Sequence, residues 1–333
     1  MKPLLKTLTE TFAPSGYEDA IRKIVQKEVK PFADEIRVDA MGSLIVHKKP
    51  TTKSKNPRRI MLAAHMDEIG VIVSHVDKNG FVRFTNVGGV FGRYTLGARI
   101  RFLNGTTGVV GFDKLESVND IPSMSKMYID VGATSRKNCP VQIGDFGAFE
   151  RSYMEMGNRL VAKSLDDRAG VVVLIEALKA IKSTPNDLYF VFTTQEEVGT
   201  RGAGTAAYGI DPEIGIAIDV TGTGDTPASL KMSMELGKGP CVKVRDPGML
   251  SDPRVVEWMV NTAEKAKIPY QREVLLVGST DARAIQITRA GVMAGALSIP
   301  CRYIHSASEM VDYEDLKNSA KLLTAMLSKP VSF

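Results

Sequence analysis

The sequence has 333 residues, 44% hydrophobic and 24% charged, with 43 Lys and Arg against 38 Asp and Glu, a formal net charge of +5. That length exceeds one ordinary core and predicts two domains. The mild positive balance, with no dense basic block, argues against nucleic acid as a partner; the richest basic stretch, Lys48, Lys49, Lys53, Lys55, Arg58 and Arg59, is broken by Pro and Thr and reads as a solvated loop. Cys139, Cys241 and Cys301 are odd in number and far apart, which argues against a disulfide framework or a cysteine zinc site and suits a reducing interior. No apolar run approaches the ~18 residues of a membrane helix, and the first ten residues lack the apolar core of a signal peptide. A cytoplasmic location with no membrane partner is therefore expected.

Along the chain, residues 4–12 have helical spacing of apolar positions and stop at Ala13-Pro-Ser-Gly16. A second helix is predicted over 18–29, with Ile21, Ile24, Val25 and Val29 on one face. Short strands follow at 36–38 and 43–47, then a polar loop at 48–57. Residues 59–64 form a near-continuous apolar run, the kind buried on both faces of an α/β sheet. After Gly70 the texture changes. Residues 71–76 and 81–84 read as a hairpin around Asn79-Gly80, and short strands and glycines continue without an amphipathic helix. Residues 71–160 are accordingly predicted to be an inserted, barrel-like all-β domain that serves oligomerisation or acts as a lid. Helix and strand alternate again from Ser164: an apolar helix at 170–181, buried strands at 188–193 and 214–220, and amphipathic helices at 254–266 and 313–327. The fold class is α/β, with a mixed sheet between helices formed by residues 1–70 and 161–333 around the insert.

Five constellations carry polar chemistry, each beside a strand or helix boundary. His65-Met-Asp67 follows the apolar strand; in extended chain the two side chains share a face, so Asp67 can orient the imidazole of His65. Ser164-Leu-Asp166-Asp167-Arg168 precedes the apolar helix, where Asp166 fits either a helix cap or a carboxylate bridging two cations. Glu196-Glu197 follows the strand at 188–193; adjacent carboxylates point apart, so one suits a metal and the other a substrate as general base, and an exposed acidic turn also fits. Asp219 ends the strand at 214–220, an apolar setting in which an acid requires a partner or a cation. His305 follows the strand at 297–301. Imidazole with carboxylate is the donor mix of zinc, cobalt or manganese, and the set is acidic enough for two divalent cations. His47 and His75 have no such acidic neighbours in the sequence and read as surface residues.

Together, the motifs Ala13-Pro-Ser-Gly-Tyr-Glu18, Ala64-His-Met-Asp-Glu-Ile-Gly70, Leu165-Asp-Asp-Arg-Ala-Gly170, Gln195-Glu-Glu-Val-Gly199, Ile218-Asp-Val220, Gly278-Ser-Thr-Asp281 and Arg302-Tyr-Ile-His-Ser306 resemble the tetrahedral and glutamyl aminopeptidases, a family that includes endoglucanase M-like proteins. The resemblance spans essentially the whole chain. It implies a three-layer metallo-exopeptidase core and two metal ions, with His65 and Asp219 on one, Glu197 and His305 on the other, and Asp166 bridging. It implies Glu196 as general base with Asp67 supporting His65, peptide substrates with a free N-terminus, and homo-oligomers from dimer to tetrahedral dodecamer. The family's usual Asp-Asn-Arg is Asp166-Asp167-Arg168 here, so whether Asp167 also binds metal stays open. Weighed against this reading are a metal-dependent deacylase or carboxypeptidase on the same core, a glucanase, which generally needs two carboxylates and no metal, and a non-catalytic scaffold. The spacing does not reveal which N-terminal residue is removed or which metal serves.

Overall fold

The computed structural model describes residues 1–333 apart from Val118 and Ser332. The apolar runs of the sequence become four adjacent parallel strands, ordered Asp187–Thr193, Arg59–His65, Ile214–Thr221 and Met293–Arg302. Their side chains alternate between two buried layers. From Arg59–His65, for example, Ile60, Leu62 and Ala64 join one apolar cluster while Met61 and Ala63 join another. Burial on both faces is why these strands read as continuous apolar runs rather than as alternating ones. Leu44–Lys48 and then Glu35–Val38 extend the sheet antiparallel on one side. On the other, Glu309–Asp312, Arg159–Ala162 and Met154–Met156 do the same.

The helix Leu165–Ala180 lies under the sheet, with Val171 to Ile175 wholly buried. A helix that is apolar all round must be enclosed, and Lys2–Glu10, Asp19–Val29 and Tyr313–Leu327 pack on it. Arg201–Ile210 and Ala282–Gln286 cover the opposite face. The three-layer α/β core expected from the sequence is thus the observed one. Helix starts follow local chemistry: Asp252 and Asp312 each accept the N–H two residues on, and Pro253 occupies a first-turn position where its missing N–H costs nothing.

Six strands close a separate barrel: Gly70–Val76, Val82–Val87, Arg99–Phe102, Thr107–Phe112, Met127–Asp130 and Phe146–Phe149. Its core is its own, built on Val71, Val73, Val82, Phe84, Ile100, Phe102 and Ile129. The first hairpin turns where Asp77 accepts the N–H groups of Asn79 and Phe81. A one-turn helix, Gly92–Thr95, interrupts the β texture. The barrel strands end at Phe149. Met154–Met156 and the first half of Arg159–Ala162, which the sequence reading includes in the insert ending at residue 160, pair instead with the large sheet through Glu309–Asp312. Their short β pattern carries no mark of a partner strand some 150 residues away.

One buried ionic knot ties the first helix to the core. Arg168 is fully buried, donates to the Leu8 carbonyl at 2.9 Å and lies 3.7 Å from Glu68. Glu68 also takes Lys163 at 2.6 Å and the Ala13 N–H at 2.9 Å. Removing one partner strands the others without water. Arg168→Met is expected to lower unfolding stability by about 3–5 kcal/mol. Reversible denaturation would check this, and a loss below about 1 kcal/mol, the scale of an exposed pair, would refute the account.

Candidate active site

Parallel strands release their chains at the same edge of the sheet, which is where ligand sites form. His65 ends Arg59–His65 beside Thr193, and Asp219 lies near the end of Ile214–Thr221. Glu196 and Glu197 follow Asp187–Thr193, and His305 follows Met293–Arg302. Asp166 and Asp167 sit in the first turn of Leu165–Ala180, where the backbone departs from helical angles and the peptide bond between them is cis. All seven residues singled out in the sequence, with Asp167, therefore meet at one place.

Asp166 is central. Its Oδ1 lies 3.0 Å from His65 Nε2 and its Oδ2 lies 3.4 Å from His305 Nε2. His305 Nε2 is also 3.2 Å from Glu197 Oε2, and His65 Nε2 is 3.9 Å from Asp219 Oδ1. Asp166 is thus within reach of both imidazoles. Ligand atoms of His65, Asp166 and Glu197, and of His65, Asp167 and Asp219, each lie within 4.8 Å of one another.

Asp67 stands behind these donors. The Nδ1 of His65 is 3.1 Å from the Asp67 carbonyl and 3.4 Å from its carboxylate. The carboxylate accepts the Glu196 N–H at 3.0 Å, the Glu197 N–H at 3.2 Å and the Ser15 hydroxyl at 2.6 Å. One buried acid thereby sets the ring of His65 and the backbone of both glutamates. Glu309, absent from the sequence reading, does the equivalent work opposite. It is 1% exposed and accepts the N–H of Asp166 and of His305, both at 2.9 Å. Its place four residues after His305 is the only sequence signal, and an acid at that spacing is too common to stand out. Asp281 is also buried here and takes the Thr193 hydroxyl.

The electrostatics show what the cluster lacks. Burial, reinforced by neighbouring carboxylates, pushes Asp167, Glu196 and Asp219 well above the usual carboxylate range, and raises Glu197 as well. Burial lifts Asp281 to about 6. Asp166 is held low despite burial, because both imidazoles bond to it. Burial works against protonated His305, yet Glu197 and Asp166 hold it up to about 12. The acids outnumber the cations, and among the described residues Glu197 Oε1 and Asp167 Oδ2 have no hydrogen-bond partner. Buried carboxylate oxygens in this state call for positive charge. With imidazole and carboxylate donors, the residues fit divalent cations such as zinc, cobalt or manganese.

The barrel reaches this site. Gly88 and Gly89 follow its second strand. Gly88 has φ +77° and lies against Glu197, and a Cβ at Gly89 would overlap the His305 ring. The Phe91 ring centroid is 6.0 Å from that of His305. Away from the site, His47 is a half-buried residue rather than a surface one. It stacks on Tyr189 at 4.3 Å and pairs with Asp187 at 2.6 Å, a partner the chain supplies 140 positions later.

An α/β sheet with a buried His and carboxylate cluster at its strand ends defines a metallohydrolase-like core. Residues 42–322 match the family M42 glutamyl aminopeptidase, and the chain belongs to that family. It is therefore an enzyme of the aminopeptidase class. It is 36% identical to the lysyl aminopeptidase of Pyrococcus furiosus, over 99% of this chain and 98% of that one. Among solved structures it resembles an aminopeptidase of the archaeon Desulfurococcus kamchatkensis, with TM-score 0.94, 40% identity and coverage of 99% of this chain and 94% of the other. It also resembles the Pyrococcus horikoshii TET1 peptidase, which can assemble into a tetrahedron or a large octahedral shell, with TM-score 0.87, 33% identity and 99% of each chain covered.

The close approach at Gly89 is directly testable. Gly89→Ala must push His305 out of line with Asp166 and Glu197. Loss of ligand orientation typically costs 10–100-fold in metal affinity. The variant is expected to bind zinc roughly tenfold more weakly or worse, read by competition with a chromophoric chelator. Unchanged affinity would show that the barrel does not constrain the site.

Proposed function

We propose that the chain removes N-terminal residues from peptides through two divalent cations and Glu196 as general base. The observation that supports this most is Asp166, with one carboxylate oxygen toward His65 and the other toward His305. On this reading His65 and Asp219 hold one ion, His305 and Glu197 hold the other, and Asp166 serves both. Bound cations would supply Lewis acidity toward the peptide carbonyl and acidify water. Zinc or cobalt suits the donors best, with manganese also compatible.

The remaining steps fall to the chain. Glu196 lines the cavity with Asp166, Glu197, Asp219 and His305, and its carboxylate takes a proton from the attacking water and returns it to the leaving amine. Burial and the neighbouring acids, which raise its proton affinity, suit it to that shuttle. Asp67 positions Glu196 through the backbone N–H and stays ionised. A bound cation would also hold the free α-amine, which favours exopeptidase action over cleavage within a chain. Blocked amines, as a deacylase or carboxypeptidase would accept, lack that hold.

The catalytic domain on this reading comprises the two core segments, near 1–70 and 161–333, and the barrel serves subunit contact. Leu103, Val109, Phe112, Ile121 and Ile143 leave exposed apolar surface on the barrel side of the chain. That surface, with the assembly of the Pyrococcus horikoshii relative, supports a homo-oligomer up to a dodecamer. No helix among the described residues is long and apolar enough to cross a membrane.

Three measurements test the reading. Chelated protein given back zinc, cobalt or manganese singly should regain release from free-amine amino-acid anilides and none from their N-acetylated forms. Equal release from both would refute the aminopeptidase mechanism. Glu196→Gln should retain its metal, by elemental analysis, while turnover falls by about 10²–10⁴-fold; near wild-type turnover would remove Glu196 from the base role. Sedimentation of the intact protein showing only monomer would refute assembly.

A further inference from the structure

On that reading the α-amine and the first carbonyl both lie at the proposed ion site, and one bond from the carbon that joins them is the first side chain. That side chain must therefore lie against the wall of the same cavity, about 610 Å³ in volume. The wall is apolar, formed by Val220, Leu230, Met232, Leu275, Val277 and Ile304 from separate segments of the core. We propose that this wall selects a medium to large apolar first residue, such as leucine, methionine or phenylalanine, over lysine or glutamate. The inference rests on the aminopeptidase reading and goes beyond it, and neither the glutamyl name of the family nor the lysyl name of the Pyrococcus furiosus relative describes this pocket.

A lysine would need a carboxylate. The carboxylates lining the cavity among the described residues are Asp166, Glu196, Glu197 and Asp219, all four in the proposed metal and base set. Two further acids lie behind the wall but are directed into the protein. Thr221 donates its hydroxyl to Glu273 at 2.7 Å, and Ser279 donates to Asp246 at 3.1 Å. Both acids in turn face the fully buried ammonium of Lys243, at 2.9 and 3.6 Å. The wall thus shows a bound cation hydroxyl oxygens rather than free negative charge.

A glutamate would need a cation. Arg93 and Arg283 line the cavity, but both side chains are exposed to solvent. Arg93 stacks over Phe91 and Tyr94 at 5.2 and 5.0 Å, and Arg283 packs its stem beside Gly248. Solvent-screened guanidinium groups add little, whereas each methylene placed on an apolar wall brings roughly tenfold in specificity.

The test is a panel of free-amine amides of leucine, methionine, phenylalanine, alanine, lysine and glutamate with the metal-loaded enzyme, and kcat/KM for each. Free leucine, lysine and glutamate as product inhibitors give a second readout independent of turnover. The expected result is leucine, methionine or phenylalanine at least about tenfold above alanine, lysine and glutamate, with leucine the strongest inhibitor. Met232→Glu, on the half-buried side of the wall, should move the preference toward lysine by about tenfold. Met232→Asp repeats the test with a shorter side chain. Release led by lysine or glutamate in the wild type, or charged variants that leave the ranking unchanged, would overturn this inference and leave the aminopeptidase intact. Release from none of the amides would overturn both.

Discussion

Too many carboxylates share one water-poor space at the strand ends, and the rest of the structure is organised around that excess. Asp67, Asp166, Asp167, Glu196, Glu197, Asp219 and Asp281 converge on two imidazoles. Ionised acids in such a setting repel one another and are poorly solvated, so most are driven toward their protonated forms. Two escape despite burial: Asp166 lies between both imidazoles, and Asp67 is bonded by His65, the Ser15 hydroxyl and the Glu196 N–H. A cluster of this kind is stable in two ways: by taking up protons, or by taking up cations. The second keeps the carboxylates charged and is the basis for the function proposed here.

Holding such a cluster open requires that its members do not rotate away, and the fold achieves this through backbone N–H groups rather than through side chains alone. Asp67 fixes both glutamates through their amides, and Glu309 fixes Asp166 and His305 through theirs. Behind them the Glu68, Lys163 and Arg168 knot anchors the chain between the first helix and the strand that carries His65. Charged groups that would be costly singly become a rigid frame when each has its partner.

Much of this was legible in the sequence for a physical reason. Residues 59–64, 188–193 and 214–220 are apolar on both faces, which only an enclosed parallel strand satisfies, and a polar residue at the end of such a run has few roles other than a site. His65, Glu196, Glu197 and Asp219 stand out on that ground. What stayed hidden depends on contacts between distant residues. Glu309 looks like any acid near a turn until its carboxylate is seen under Asp166, 143 positions away. Gly88 and Gly89 look like loop punctuation, yet their lack of side chains is what lets the barrel touch Glu197 and His305. Residues 154–160 read as more of the same β texture, because strand pattern reports alternation and says nothing of which sheet accepts the strand. His47 fails the surface reading likewise, its partner Asp187 arriving from the neighbouring strand.

The barrel's attachment follows from the same geometry. The chain leaves His65, passes Asp67 and Glu68, and enters the first barrel strand at Gly70; after one hairpin it returns through Gly88 and Gly89 to press on the opposite histidine. Four residues thus separate His65 on the core from the first barrel strand, and the barrel's next connection closes over His305 and Glu197. Gly70 itself faces the Gly147 backbone so closely that only glycine fits, which locks the entering strand to the last one. A displacement of the barrel would therefore move His65 through its covalent link and His305 through its packing. Any contact that fixes the barrel, including one with another subunit, acts at the same time on the two imidazoles that flank Asp166.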